Sequence, residues 1–197
     1  MKRVLLLSSA ALLLAASTAQ ADQVVPVGHF HNVSIEGSGH IIFIPGAQQR
    51  VVLKKGDTKN TEIKIKDNGD LVFKSCPGKG GWFGWMNSCP DGYELDVEIT
   101  TPELSGIDIS GSGKIETRNG FALQPKLAIE ISGSGNVDTM GIPAGAASVS
   151  ISGSGKVRVN ARNSLSVDIA GSGSVVYAGR PQVSQSIAGS GSVTSAQ

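Results

Sequence analysis

Apolar and polar residues alternate through most of this chain, and the tripeptide Gly-Ser-Gly interrupts the alternation at nearly regular intervals. Ile107-Asp108-Ile109-Ser110 precedes one copy and Lys114-Ile115-Glu116 follows it. The same arrangement returns in Ile129-Glu130-Ile131 with Val137, Val149-Ser150-Ile151 with Val157, and Val167-Asp168-Ile169 with Val175. Successive side chains of a strand leave opposite faces, so these segments predict half-buried strands, and no helical stripe competes with them. Gly-Ser-Gly stands at 37–39, 111–113, 133–135, 153–155, 171–173 and 189–191, the last five starting 22, 20, 18 and 18 residues apart. The final copy is weaker, with Gln185 where the others have an apolar residue.

A period of about 18 to 22 residues is too short for a βαβ unit and fits a coil that buries its apolar face against its neighbours. The expected fold is therefore all-β, a right-handed parallel β-helix or β-solenoid. Ile109, Ile131, Ile151, Ile169 and Ile187 would form one interior column, and Ile115, Val137, Val157, Val175 and Val193 a second. A sandwich of hairpins is the competing arrangement, but one turn per period in one phase favours parallel coiling. Both glycines of each tripeptide are expected to supply corner backbone angles that a Cβ forbids. The intervening Ser112, Ser134, Ser154, Ser172 and Ser190 would stack along one edge. A structural role for that column is expected; an anion nest built from its amides is the alternative.

Residues 22–106 are less regular. Val33-Ser34-Ile35-Glu36-Gly37-Ser38-Gly39-His40-Ile41 matches the later copies and reads as a first coil. Residues 51–55, 62–66, 71–74 and 93–99 read as further strands that extend and cap the stack, with Asn68-Gly69 as a hairpin turn whose two positions tolerate positive φ.

Composition adds the compartment. Lys2 and Arg3 precede an apolar run ending in Ala19-Gln20-Ala21, so residues 1–21 read as a secretory signal peptide and 22–197 as a single exported domain, in the periplasm or outside the cell. The run is shorter than a spanning helix needs, and no transmembrane segment is expected after cleavage. Without Lys2 and Arg3 the 17 basic residues become 15 against 16 acidic ones, a net charge of −1, which argues against nucleic acid as a partner. Cys76 and Cys89 are the only cysteines and, in an exported chain, are expected to form a disulfide that contributes about 3 kcal/mol. No cofactor is expected.

The loop they would close holds Trp82, Phe83, Trp85 and Met86, costly residues to expose. Either they fold back over an edge of the core, or they present an apolar surface for binding a sugar or a partner's groove. His29, His31 and His40 raise the possibility of a metal site if the chain turns back at residues 37–39, although exposed strand histidines are common. Asp108, Glu130 and Asp168 hold equivalent outward positions, with Ser150 between, and read as solvated surface acids.

The approach Thr101-Pro102-Glu103-Leu104, the strand Ile107-Asp108-Ile109-Ser110-Gly111-Ser112-Gly113, and its echoes at Ile131-Ser132-Gly133-Ser134-Gly135 and Ile151-Ser152-Gly153-Ser154-Gly155 resemble the head GIN domain family. The resemblance spans about residues 29–195 and implies a secreted bacterial protein, a right-handed β-helical fold and an adhesion role. It implies no catalytic or binding residues, and the Cys76–Cys89 loop is an insertion in the GIN-like domain. The expected function is a non-catalytic extracytoplasmic binding or adhesion module for a protein or glycan of the cell envelope. An envelope scaffold that self-assembles ranks second and a carbohydrate-active enzyme third.

Overall fold

The computed structural model describes residues 22–77 and 89–196, and these contain strands and no helix. The strands are β1 (Gln23–Val25), β2 (Asn32–Gly37), β3 (His40–Pro45), β4 (Arg50–Lys55), β5 (Thr61–Ile65), β6 (Asp70–Ser75), β7 (Asp96–Thr101) and β8 (Gly106–Gly111). They continue with β9 (Lys114–Thr117), β10 (Gln124–Gly133), β11 (Asn136–Gly153), β12 (Lys156–Gly171), β13 (Ser174–Ala178), β14 (Gln182–Gly189) and β15 (Ser192–Ser195). The signal peptide expected over residues 1–21 lies outside the described residues.

The chain is a β-solenoid. Strands entering the corners stack in parallel as β6, β2, β8, β10, β11, β12 and β14; strands leaving them stack as β7, β3, β9, β11, β12, β13 and β15. The long strands β11 and β12 contribute to both faces because their ends enter different coils. Both expected columns form. Ile35 and Phe73 extend the first, in register with Ile109, Ile131, Ile151, Ile169 and Ile187. Ile41 and Val97 extend the second. Away from the C-terminal end these side chains are at most 3% exposed.

Each corner uses its two glycines differently, which corrects the expectation that both supply unusual backbone angles. Only the first has positive φ, from 108° at Gly37 to 131° at Gly111. A Cβ on Gly133, Gly153 or Gly171 would also sit 2.4 Å from the carbonyl oxygen of the same glycine one coil earlier. The second glycine is required for space: a Cβ on Gly155 would lie 2.8 Å from Ile131 Cγ2, and on Gly173 2.7 Å from Ile151 Cγ2. The amides of Ser112, Ser134, Ser154, Ser172 and Ser190 donate to the preceding coil's glycine carbonyl at 2.8–3.0 Å. Those amides are spent within the stack, which removes them from any anion nest.

Unequal coil lengths are absorbed after the second strand. Met140, Gly141 and Ile142 enter between Thr139 and Pro143, where β12 passes directly from Val159 to Asn160. Ile142 turns fully inward, so the insertion adds to the core.

Order along the stack departs from order along the chain. Residues 33–41 are the first coil in sequence but the second in space, because β2 pairs with both β6 and β8 and β3 with both β7 and β9. The coil of β6 and β7 lies outside them, and antiparallel strands close that end: β5 on β6, β4 on β7, and β1 on β4. In the hairpin between β5 and β6, Gly69 alone takes positive φ, at 81°, so Asn68 keeps an ordinary backbone.

Candidate functional site

The first feature that distinguishes this stack from a plain solenoid is the corner of its outermost coil. Lys74 pairs with Glu36, so Ser75 falls beside Gly37, whose missing Cβ would lie 2.4 Å from Ser75 Oγ. The chain regains the coil at Leu95, whose carbonyl accepts from the His40 amide at 2.8 Å. Gly39 makes the same bond to Lys114 one coil later, at 2.7 Å. Residues 75–95 therefore stand in the sequence where a single Gly-Ser-Gly stands elsewhere.

The root of this enlarged corner is well tied. Cys76 and Cys89 form a disulfide with Cα atoms 5.2 Å apart. The Cys76 amide donates to Asn60 O at 2.6 Å, and Cys76 adopts φ 51°. Asn60 is itself fixed, because Asp57 Oδ1 accepts from the amides of Lys59 and Asn60, both at 2.8 Å. Those donors hold the Asp57 carboxyl below its ordinary 3.8, the Asn60 amide first among them. On the other side, Tyr93 OH bonds Thr61 Oγ1, and Lys55 pairs with Glu94 at 2.7 Å. Between these groups lies a hollow of about 350 Å³ lined by Ser38, His40, Cys89, Tyr93 and Asp96. Trp82, Phe83, Trp85 and Met86 lie outside the described residues.

A second feature is a groove of about 720 Å³ that crosses the coils near the start of the first-face strands. Parallel register puts Ala128, Ser148, Ser166 and Ser184 side by side on its wall, and Leu127, Ala147 and Leu165 form its buried floor. His31 and Lys126 stand toward one end and Gln182 toward the other. From β2 to β14 it spans five strand spacings, about 24 Å. Sequence reading missed it because small outward residues look unremarkable one strand at a time.

The histidines do not converge. His29 and His31 have ring centroids 6.5 Å apart, but the corner at 37–39 carries the chain to the other face and away from them. His40 there bonds Glu116 Oε2 at 2.8 Å and approaches Asp96 at 3.4 Å. Glu116 is held below its ordinary value, first by Lys114 and then by His40. No group of three His, Cys, Asp or Glu among the described residues is arranged to hold a metal ion. Asp108 and Glu130 are lateral neighbours, while Ser150 separates Glu130 from Asp168. Ser34 Oγ donates to Asp108 at 3.1 Å.

A solved structure shares this architecture. A crystal structure described as a putative adhesin from Bacteroides fragilis NCTC 9343 superposes with a TM-score of 0.54 at 19% identity, covering 89% of this chain and 96% of that one. A putative cell adhesion protein from Clostridium sporogenes ATCC 15579 matches at 14% identity over 89% of this chain and 98% of that one, with a TM-score of 0.38. A putative lipid binding protein from Parabacteroides distasonis ATCC 8503 gives 16% identity over 90% and 96%, with a TM-score of 0.34. No curated protein matches the chain. The family model described as "Putative auto-transporter adhesin, head GIN domain" matches residues 29–137 and 125–181, and on that match, together with the stacked Gly-Ser-Gly corners, the chain belongs to this family.

Proposed function

We propose that this chain is a non-catalytic, extracytoplasmic binding module of adhesion type whose partner is a protein or glycan of the cell envelope. The observation that carries the reading is the enlarged corner: a disulfide-closed segment rooted on a hydrogen-bonded base at one end of a stack whose other corners are minimal. A rigid scaffold that displays one irregular segment is how binding surfaces are commonly built. The sequence of that segment, with two tryptophans, a phenylalanine and a methionine among four glycines and a lysine, suits an anchor for apolar or stacking contacts. Residues 1–21 supply the export signal this role needs. The dispersed histidines and the hydrogen-bonded Asp108 support the non-catalytic part of the reading.

The test compares three proteins as baits in envelope extract: the wild type, a deletion from Gly78 to Asn87 that keeps both cysteines, and Ser166→Trp, which fills the groove. The loop deletion is expected to lose a partner that Ser166→Trp keeps. The reverse pattern would move the binding site to the groove and end the loop reading. A direct readout is available because Trp82 and Trp85 are the only tryptophans in the chain. Their fluorescence emission should shift to the blue when the captured partner is added.

A further inference from the structure

The two ends of the stack are built differently. At one end antiparallel strands cover the coil, and charged pairs decorate them: Glu62 with Lys64 on β5, and Asp22 with Lys54 beside β1 and on β4. At the other end, among the described residues, β14 pairs only with β12 and β15 only with β13. Edge strands are normally blunted by charge, proline or a bulge. Here β14 and β15 have none of these within them, and residues 181–197 contain no charged side chain, although β12 carries Asp168 at the position paired with Ser186. Apolar residues nevertheless persist on the inner side. Val183 and Ile187 are each 37% exposed, whereas their partners Leu165 and Ile169 are 1% and 3% exposed.

We infer that this edge is a self-association surface, on which a second copy of the chain docks tail to tail through antiparallel pairing of β14 with its equivalent. The inner residues of β14 are symmetric about Gln185: Val183 on one side, Ile187 on the other. A two-fold rotation about the face normal puts each Val183 opposite the partner's Ile187. The two Gln185 amides meet on the axis, where each can donate and accept. Ser184 falls opposite Ser186, and no like charges meet anywhere along the strand. Such a contact pairs the free edge amides and carbonyls and closes the assembly at two copies. The face is one coil wide, about 26 Å by 10 Å, or roughly 500 Å² summed over both copies, which is below the size of stable interfaces and makes the dimer a weak, concentration-dependent one. This inference stands apart from the loop reading, because Cys76, which follows β6, belongs to the coil at the opposite end of the stack.

The experiment is sedimentation of the oxidised protein, residues 22–197, from about 1 to about 200 μM, against Gln185→Lys and Gln185→Glu. The wild type should pass from monomer to dimer and stop there. Each charged variant, placing like charges on the axis, should weaken dimerisation at least about tenfold while keeping the wild-type melting temperature, since Gln185 is already exposed. An equimolar mixture of the two variants should regain the dimer through a Lys–Glu pair. A wild type that stays monomeric throughout, variants that dimerise as well as the wild type, a mixture that does not recover, or a mass that grows beyond two copies would each overturn it.

Discussion

Gly153 and Gly155 are two residues apart, yet they tolerate substitution for different reasons and to different degrees. Alanine at 153 meets both a φ of 125° and a backbone carbonyl 2.4 Å away, neither of which can move without breaking coil-to-coil hydrogen bonds. Alanine at 155 meets the side chain of Ile131, which can shift by a few tenths of an ångström at a packing cost. Ser154 contributes its amide rather than its side chain to the stack. Calorimetric melting should therefore rank Gly153→Ala as the most damaging, by about 2 kcal/mol or more, with Gly155→Ala intermediate and Ser154→Ala within about 0.5 kcal/mol of wild type. Equal losses at 153 and 154 would contradict this division of labour. Sequence periodicity alone could not separate the two glycines, since both are invariant in the repeat; only the neighbouring coil shows which one is strained and which one is crowded.

At the scale of elements, the enlarged corner depends on the turn that joins β4 to β5. The lowered Asp57 pKa means that the folded protein binds this proton less readily than the unfolded chain. The stabilising contribution is therefore fully present above the unfolded carboxylate pKa and is lost as pH falls through the lower folded value. Asp57→Asn should lower the melting temperature at neutral pH and flatten the fall in stability below about pH 4. A variant whose pH profile parallels wild type would show that the turn does not carry this linkage. The disulfide acts on the same element: Cys76→Ser with Cys89→Ser should lose about 3 kcal/mol or less, a drop of roughly 6–12 °C for a domain of this size. If Trp82 and Trp85 serve recognition, their joint replacement by alanine should leave the melting temperature near wild type while binding is lost. A large fall in melting temperature would instead make them a cover for the core. The loop was visible in sequence as the one aromatic, cysteine-flanked interruption, but its identity as a corner was not, because nothing between Cys76 and Leu95 resembles Gly-Ser-Gly.

For the molecule as a whole, position along the stack decides the cost of a given substitution. Ile151 and Ile187 belong to one column in one register, but Ile151 is 1% exposed and Ile187 37%. Denaturant unfolding at micromolar or lower concentration should show Ile151→Ala costing about 2–5 kcal/mol and Ile187→Ala about 1 kcal/mol. Similar costs at both sites in dilute solution would mean that something already covers the C-terminal edge of the isolated chain.

What the sequence determined by itself is the coil: strand alternation, the corner tripeptide, and a register in which a slip of one residue would bury Asp108, Glu130 and Asp168 and expose the isoleucines beside them. These are local properties, repeated often enough to read. Tertiary structure alone decided that β2 and β3 would be enclosed by a coil later in the chain, that antiparallel strands would close one end while the other keeps a free uncharged edge, and that a groove would open across six coils. Each of those depends on which edge pairs with which. Backbone hydrogen bonds between strands are nearly blind to side-chain identity, so the pattern along one strand specifies its faces but not its neighbours.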